Sequence, residues 1–266
     1  MRIVPITLPT PFYIGPVNVY LIAEDPLTLI DTGPKTKEAI AALREGLRRA
    51  GFLISDIRRI VLTHAHIDHL GGVKQVTEKF GEMEVLKMPW AGHDAPAGEI
   101  SAIGHDAVVH TEGATLRAVF TPGHAPDHLC YYLEEERAVF TGDVVLGAGT
   151  TVIPDDTGDL GEYMDSLRRL LALDLETIYP AHGPVIRNPK VKIGEYIAHR
   201  ELRERQVLEA LADGAGPLDA MAIVKKIYVD YPEYLHAAAA SSIRSHLKKL
   251  EREGRVVEHE KRWSLS

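Results

Sequence analysis

Three histidines and an aspartate fall within six positions in Thr63-His64-Ala65-His66-Ile67-Asp68-His69, and Leu70-Gly71-Gly72 follows directly. Imidazole nitrogen and carboxylate oxygen both bind zinc at about 2.0–2.2 Å. A tight loop at a strand end can aim alternate side chains at one ion and the next pair at a second, with Gly71 and Gly72 letting the backbone turn closely beneath. Three further donors come later: His124 in Thr121-Pro-Gly-His124, Asp143 in Thr141-Gly-Asp143 and His182 in Pro180-Ala-His182-Gly183. Each follows a predicted strand, so all can converge on one end of the sheets. Chance surface histidines would not bring these later donors with them. Two cations about 3.5–4 Å apart that share a water bring its pKa from about 15.7 to near 7. The nucleophile so formed attacks a carbonyl carbon or a phosphorus, and Asp68 can shuttle a proton as well as bind metal. No Gly-x-Ser-x-Gly elbow and no phosphate-binding glycine loop competes with this chemistry.

Positioning such a site takes strands. Arg2–Thr7, Val17–Ala23 and Leu27–Ile30 read as short strands separated by Pro and Gly turns. Lys35–Ala50 has the apolar stripe Ile40, Leu43 and Leu47 of an amphipathic helix, with Gly51 as its stop. Arg59–Leu62 is a short strand running into the histidine loop, Leu70–Phe80 a helix and Glu84–Met88 a strand. Ala91–Gly104, rich in Gly, Ala and Pro, reads as a surface insertion. Strands resume at Ala107–His110, Thr115–Phe120, Leu129–Glu134 and Ala138–Thr141, then a helix at Gly161–Ala172 and a strand at Thr177–Tyr179. Two mixed halves of this kind predict a layered α/β sandwich. After Pro189 come helices at Lys190–Asp213, Leu218–Val229 and Tyr234–Glu253, broken once at Asp213-Gly-Ala-Gly-Pro217, and a hairpin of Arg255–Glu258 and Lys261–Leu265. Three helices closed by a hairpin predict a winged-helix domain over residues 200–266, behind a catalytic domain over residues 1–199.

Composition narrows the classes. A hydrophobic share of 45% with 26% charged residues fits a globular chain rather than a disordered one. The net charge of −8 argues against nucleic-acid binding over the whole surface but says little about a local groove. The single cysteine, Cys130, excludes an intramolecular disulfide and any multi-cysteine metal site, and its apolar run Leu129–Leu133 makes it a core residue. Pro5, Thr7, Pro9 and Thr10 interrupt any apolar block near Met1, and no stretch approaches the roughly 20 apolar residues of a membrane helix. These features place the expected protein in the cytoplasm, without membrane contact.

The complete His-x-His-x-Asp-His pattern at His64–His69, followed in order by His124, Asp143 and His182, resembles the metallo-β-lactamase superfamily across the first three-quarters of the chain. That resemblance implies an αββα sandwich and a dinuclear centre, with zinc as the default metal. It assigns His64, His66 and His124 to one ion, Asp68, His69 and His182 to the other, and Asp143 to both. Asp31 in Leu29-Ile-Asp31-Thr-Gly33 resembles the family's aspartate that supports a metal-binding histidine, and a plain turn aspartate is the alternative. His128 is a candidate for a similar supporting bond or for packing, and Asn18 for lining the pocket or for a turn. His93, His105, His110, His199, His236, His246 and His259 lack ligand spacing. Sharper likeness runs through Ile227–His236, His246–Gly254, Thr111–Leu116, Gly147–Thr151 and His182–Ile186 to the family of beta-lactamase-like protein 2, which joins this fold to a C-terminal winged helix. Members of that family include endoribonucleases acting on single-stranded RNA, which makes RNA cleavage the leading expectation. Arg244 and Lys248, with Arg252 continuing at spacing four and Lys249 alongside, are then candidate phosphate contacts, although Glu251 and Glu253 also suit a merely solvated face. Hydrolysis of a small thioester, ester or lactone, which suits the acidic balance better, stands close behind. A non-catalytic winged-helix regulator of nucleic acid, and a redox enzyme with iron in the same donors, stay open; oligomeric state is not readable.

Overall fold

The computed structural model describes residues 1–81, 83–213, 216–230 and 232–266. Gly214 and Ala215, inside the expected break at 213–217, and Tyr231, inside the family-like stretch at 227–236, lie outside the described residues.

Two sheets form the first part. In the six-stranded sheet, β1 (Ile3–Leu8), β2 (Val17–Ile22) and β3 (Thr28–Ile30) are antiparallel neighbours. The parallel strands β4 (Arg59–Val61), β5 (Glu84–Lys87) and β6 (Ser101–Ala102) then extend it from β3. In the five-stranded sheet, β7 (Val108–His110), β8 (Thr115–Phe120), β9 (Leu129–Leu133) and β10 (Ala138–Gly142) run antiparallel in sequence order, and β11 (Thr177–Pro180) lies parallel to β10.

The period-two alternation of strands sorts their side chains into layers. Along β2, Val17, Val19 and Leu21 face one apolar cluster, while Tyr20 and Ile22 face another. The central cluster joins those two residues and Ile30, Val61 and Leu86 to Leu116, Leu129, Tyr131, Leu133 and Phe140 of the second sheet. The outer face of the first sheet is covered by α1 (Lys37–Ala50) and α3 (Val73–Phe80) through Leu43, Leu47, Val73 and Val76. The outer face of the second is covered by α4 (Leu160–Leu171) and the first half of α5 (Pro189–Ala212) through Tyr163, Leu167, Leu170, Ile193 and Tyr196. Helix, sheet, sheet, helix is the expected αββα sandwich. Cys130 is buried against the α4 side, and burial pushes its thiol up to about 12, as a core residue requires.

Three local expectations change. The helix expected from Leu70 to Phe80 is two helices, a one-turn α2 (Ile67–Leu70) and α3, parted at Gly71 and Gly72. Space rather than a special dihedral requires the glycines there: a Cβ on Gly71 would sit 2.2 Å from the Ile67 carbonyl, and one on Gly72 2.7 Å from that of Thr32. Helix α1 starts at Lys37, where the Thr36 side chain accepts from Ala39 N, and buries Ala39, Leu43 and Leu47 with Ile40 only half-buried. The 91–104 stretch is not a mere surface insertion, because β6 within it closes the sheet edge and Ala97 enters the core. Buried Lys87 fastens it, with Nζ 2.6 Å from Asp94 and 2.6 Å from Asp127.

The C-terminal domain is built from the second half of α5, α6 (Ala220–Ile227), α7 (His236–Arg252) and the hairpin β12 (Val256–His259) with β13 (Arg262–Leu265). Val207, Leu211, Ile223, Val224, Ile243, Leu247, Leu250 and Trp263 make its own core. The boundary expected at residue 199/200 falls inside α5, which runs unbroken and packs its two halves on the two cores. No helix among the described residues is long and apolar enough to cross a membrane.

Candidate metal centre

All seven donors meet at one end of the two sheets. His64, His66 and the start of α2 follow β4, His124 follows β8, Asp143 follows β10, and His182 follows β11. Their ligand atoms form two sets, His64, His66, His124 and Asp143, and Asp68, His69 and His182, each within 4.8 Å. Asp143 faces both: Oδ2 is 3.5 Å from His124 Nε2, and Oδ1 is 3.5 Å from Nε2 of His69 and of His182. Asp68 completes the second set, its Oδ2 3.5 Å from His182 Nε2.

Tautomers are fixed by partners that can only accept. His69 Nδ1 donates to Asp31 Oδ2 at 2.8 Å, His124 Nδ1 to the Val152 carbonyl at 2.7 Å, and His182 Nδ1 to the Pro16 carbonyl at 2.8 Å. Thr63 donates its hydroxyl to Asp31 Oδ2 at 2.8 Å and therefore accepts from His64 Nδ1 at 3.0 Å. In their neutral form these four rings thus turn an Nε2 lone pair toward the other donors. His64 Nε2 and His124 Nε2 each lie 2.9 Å from His66 Nδ1, and one ring proton cannot satisfy three nitrogens. In the second set, buried His69 Nε2, His182 Nε2 and Asp143 Oδ1 have no hydrogen-bond partner. Buried polar atoms left unpaired in this way are costly, and a metal cation in each set answers both deficits. The donors fit the group.

Electrostatics agrees. Burial opposes a charge on His69, yet the carboxylates of Asp143, Asp31 and Asp68 outweigh it and hold its pKa well above the usual histidine value. The field that favours a proton there also favours a metal ion. Burial and the neighbouring His124 lower His66 to about 4, and burial with His69 and the other rings drives His64 well below its ordinary range, so both offer neutral nitrogen. Asp143 and Asp68 stay ionised against burial because of His69 and the rings beside them.

Asp31 orients His69 directly and His64 through Thr63, and it also accepts from Thr63 N at 2.8 Å. His128 lies buried behind the site, taking the Asp143 backbone N–H on Nε2 at 3.2 Å and meeting Thr121 Oγ1 with Nδ1 at 2.9 Å. Asn18 Nδ2 donates to the Gly183 carbonyl at 2.9 Å and its Oδ1 accepts from Thr7 at 2.8 Å, bracketing the loop of His182. Arg244 and Lys248, the candidate phosphate contacts, both have partners within the chain. Arg244 pairs with the Asp155 carboxylate, Lys248 donates to the Asp155 carbonyl, Arg252 pairs with Asp159, and Lys249 pairs with Glu204 and Glu253. Sequence reasoning missed Thr63, Thr121 and the carbonyls of Pro16 and Val152. A threonine beside a histidine motif is weak evidence alone, and main-chain acceptors leave no mark in residue types.

The sequence profile described as Metallo-beta-lactamase superfamily matches residues 13–182, and that of the beta-lactamase associated winged helix domain matches residues 220–263. The chain belongs to the metallo-beta-lactamase superfamily. Its relatives include a beta-lactamase-like protein 2 homolog of Caenorhabditis elegans, 37% identical over 94% of this chain and 83% of the other. An atrochrysone carboxyl ACP thioesterase of Aspergillus fumigatus is 46% identical over 155 residues, 58% of this chain and 47% of the fungal one. A metallo-beta-lactamase family protein from Thermus thermophilus has the same fold from end to end, with a TM-score of 0.83 at 23% identity over 99% of this chain and 98% of the other. As a hydrolase of this superfamily, the protein would hold one ion with His64, His66, His124 and Asp143, and the other with Asp68, His69, His182 and Asp143.

Proposed function

We propose that the protein hydrolyses an acyl bond at a carbonyl carbon, with a thioester as its preferred class and zinc at both metal positions. One observation carries the substrate class: exposed apolar side chains neighbour the ligands, or the carbonyls that hold them, along the chain. Phe12, Tyr13 and Ile14 stand in the loop whose Pro16 carbonyl holds His182. Ile67 sits between His66 and Asp68 and is 44% exposed, and Val152, whose carbonyl holds His124, is 62% exposed. Apolar groups so placed suit an acyl chain or ring better than a phosphodiester backbone, and Arg244 and Lys248 of α7 already have acidic or carbonyl partners. The thioesterase named among the relatives gives this class support from similarity.

Bound metal supplies a water acidic enough to attack near neutral pH and polarises the carbonyl. The chain's own residues do the rest. Asp68, buried beside His69 and His182, can accept the proton of the attacking water on a carboxylate oxygen and return it to the departing sulfur. Asp31, Thr63, Val152 and Pro16 keep the histidine rings from turning.

Single-stranded RNA is the second reading, favoured by the matching winged helix. Zinc-loaded protein should be assayed against an acyl-thioester panel and an end-labelled single-stranded RNA, with Asp68→Asn in parallel. Thioester turnover that falls about 10²–10⁴-fold in Asp68→Asn is the expected result. RNA cleavage lost in the variant, with the thioesters untouched, would replace this reading. Neither hydrolysis, with a salt-sensitive shift of duplex DNA, would make the protein a regulator.

A further inference from the structure

The segment 151–155 between β10 and α4 has its carbonyls taken one after another. Arg200 of α5 donates to that of Thr151, His124 Nδ1 to that of Val152 at 2.7 Å, and Ser245 Oγ of α7 to that of Ile153 at 2.9 Å. Gly158 N donates to that of Pro154 at 2.9 Å, and Lys248 to that of Asp155. The Asp155 carboxylate takes Ser241 Oγ at 3.1 Å and pairs with Arg244. Successive carbonyls of an extended chain point to opposite sides. The side chains alternate accordingly, with Thr151 and Ile153 3% and 4% exposed and Val152 62%. One side of the segment therefore faces α5 and α7, and the other presents Val152 O to a metal ligand. Thr151 adds a second path, because its hydroxyl donates to the Asp143 carbonyl at 2.8 Å.

We propose that the winged-helix domain is a positioning element of the metal centre, in which Ser245 and Arg244, together with Arg200 in the middle of α5, hold residues 151–155 so that the Val152 carbonyl fixes the ring of His124. The domain then sets the metal site with no nucleic acid involved. Freed from α7, the segment would drift and His124 Nδ1 would lose its acceptor; bonds of this kind orient a ligand and raise its basicity. The inference rests on a metal ion at His64, His66 and His124, and not on the substrate proposed above.

The test uses the whole 266-residue chain, with zinc affinity measured by chelator competition and the visible spectrum of the cobalt(II) form as a geometric readout. Ser245→Ala removes one bond, and Asp155→Ala independently releases Ser241 and Arg244. Each should weaken one of the two ions about tenfold and change the cobalt spectrum, leaving the other ion as it was. Ser245→Thr, which keeps the hydroxyl, should restore both readouts. Lys249→Ala, which disturbs α7 through its Glu204 and Glu253 pairs without touching 151–155, should lower thermal stability and leave metal affinity unchanged. Wild-type affinity and spectrum in both Ser245→Ala and Asp155→Ala would overturn the proposal, as would equal weakening by Lys249→Ala. Wild-type protein that bound no metal would remove the reading of the centre itself, and this inference with it.

Discussion

At the residue scale, Asp31 sits in the left-handed region at φ 60°, where few residues other than glycine, asparagine and aspartate rest easily. The chain accepts that conformation and gains a carboxylate that reaches Thr63 and His69 together. Asp31→Asn tolerates the same backbone but removes the charge and one acceptor. It should keep the fold and weaken metal binding about 10–100-fold, measured by chelator competition; unchanged affinity would mean that Asp31 is only a turn residue. The seven donors were legible in the sequence because their types and spacing are those of metal ligands. Asp31 was legible only through resemblance, and the bonds that orient His124 and His182 were not legible at all, since both end on main-chain carbonyls. Arg244 and Lys248 show a different limit. Their spacing along a helix is legible, but their partner Asp155, more than eighty residues earlier in the chain, is not.

At the scale of elements, the strands and their alternation were readable because each sheet face is buried against a different layer. Breaks set by close approach were less so. Pro122-Gly123-His124 shows how tightly a ligand loop is seated, for Gly123 has φ +123° and a Cβ there would lie 2.3 Å from Tyr163 N and 2.4 Å from its Cα, both backbone atoms of α4. Gly123→Ala must therefore move either the His124 loop or the start of α4. A loss of roughly 2 kcal/mol or more is expected from the denaturant midpoint, together with weaker metal binding. A variant within about 0.5 kcal/mol of wild type would show that loop and helix are not packed as described.

At the scale of the whole molecule, one helix carries two cores, and α7 grips a loop of the other domain. His246 of α7 lies buried at this junction, with Nδ1 donating to the Ser242 carbonyl at 2.8 Å and Arg200 and Glu204 as its charged neighbours. Burial above all lowers its pKa from 6.5 to about 4. The folded state thus binds fewer protons than the unfolded one between those values, so stability is intact above pH 6.5 and declines as pH falls toward 4. The expected slope is up to about 1.4 kcal/mol per pH unit, and His246→Gln should remove that part of the acid limb in a series of denaturant midpoints. Parallel limbs for the two proteins would contradict it. The two donor sets imply a dinuclear centre joined through Asp143, and calorimetric titration of metal-free protein with zinc counts its ions. Two ions per chain are predicted for wild type, with Asp143→Asn weakening both because each set uses one of its oxygens. One ion or none in wild type, or an Asp143→Asn variant that binds both as before, would contradict it.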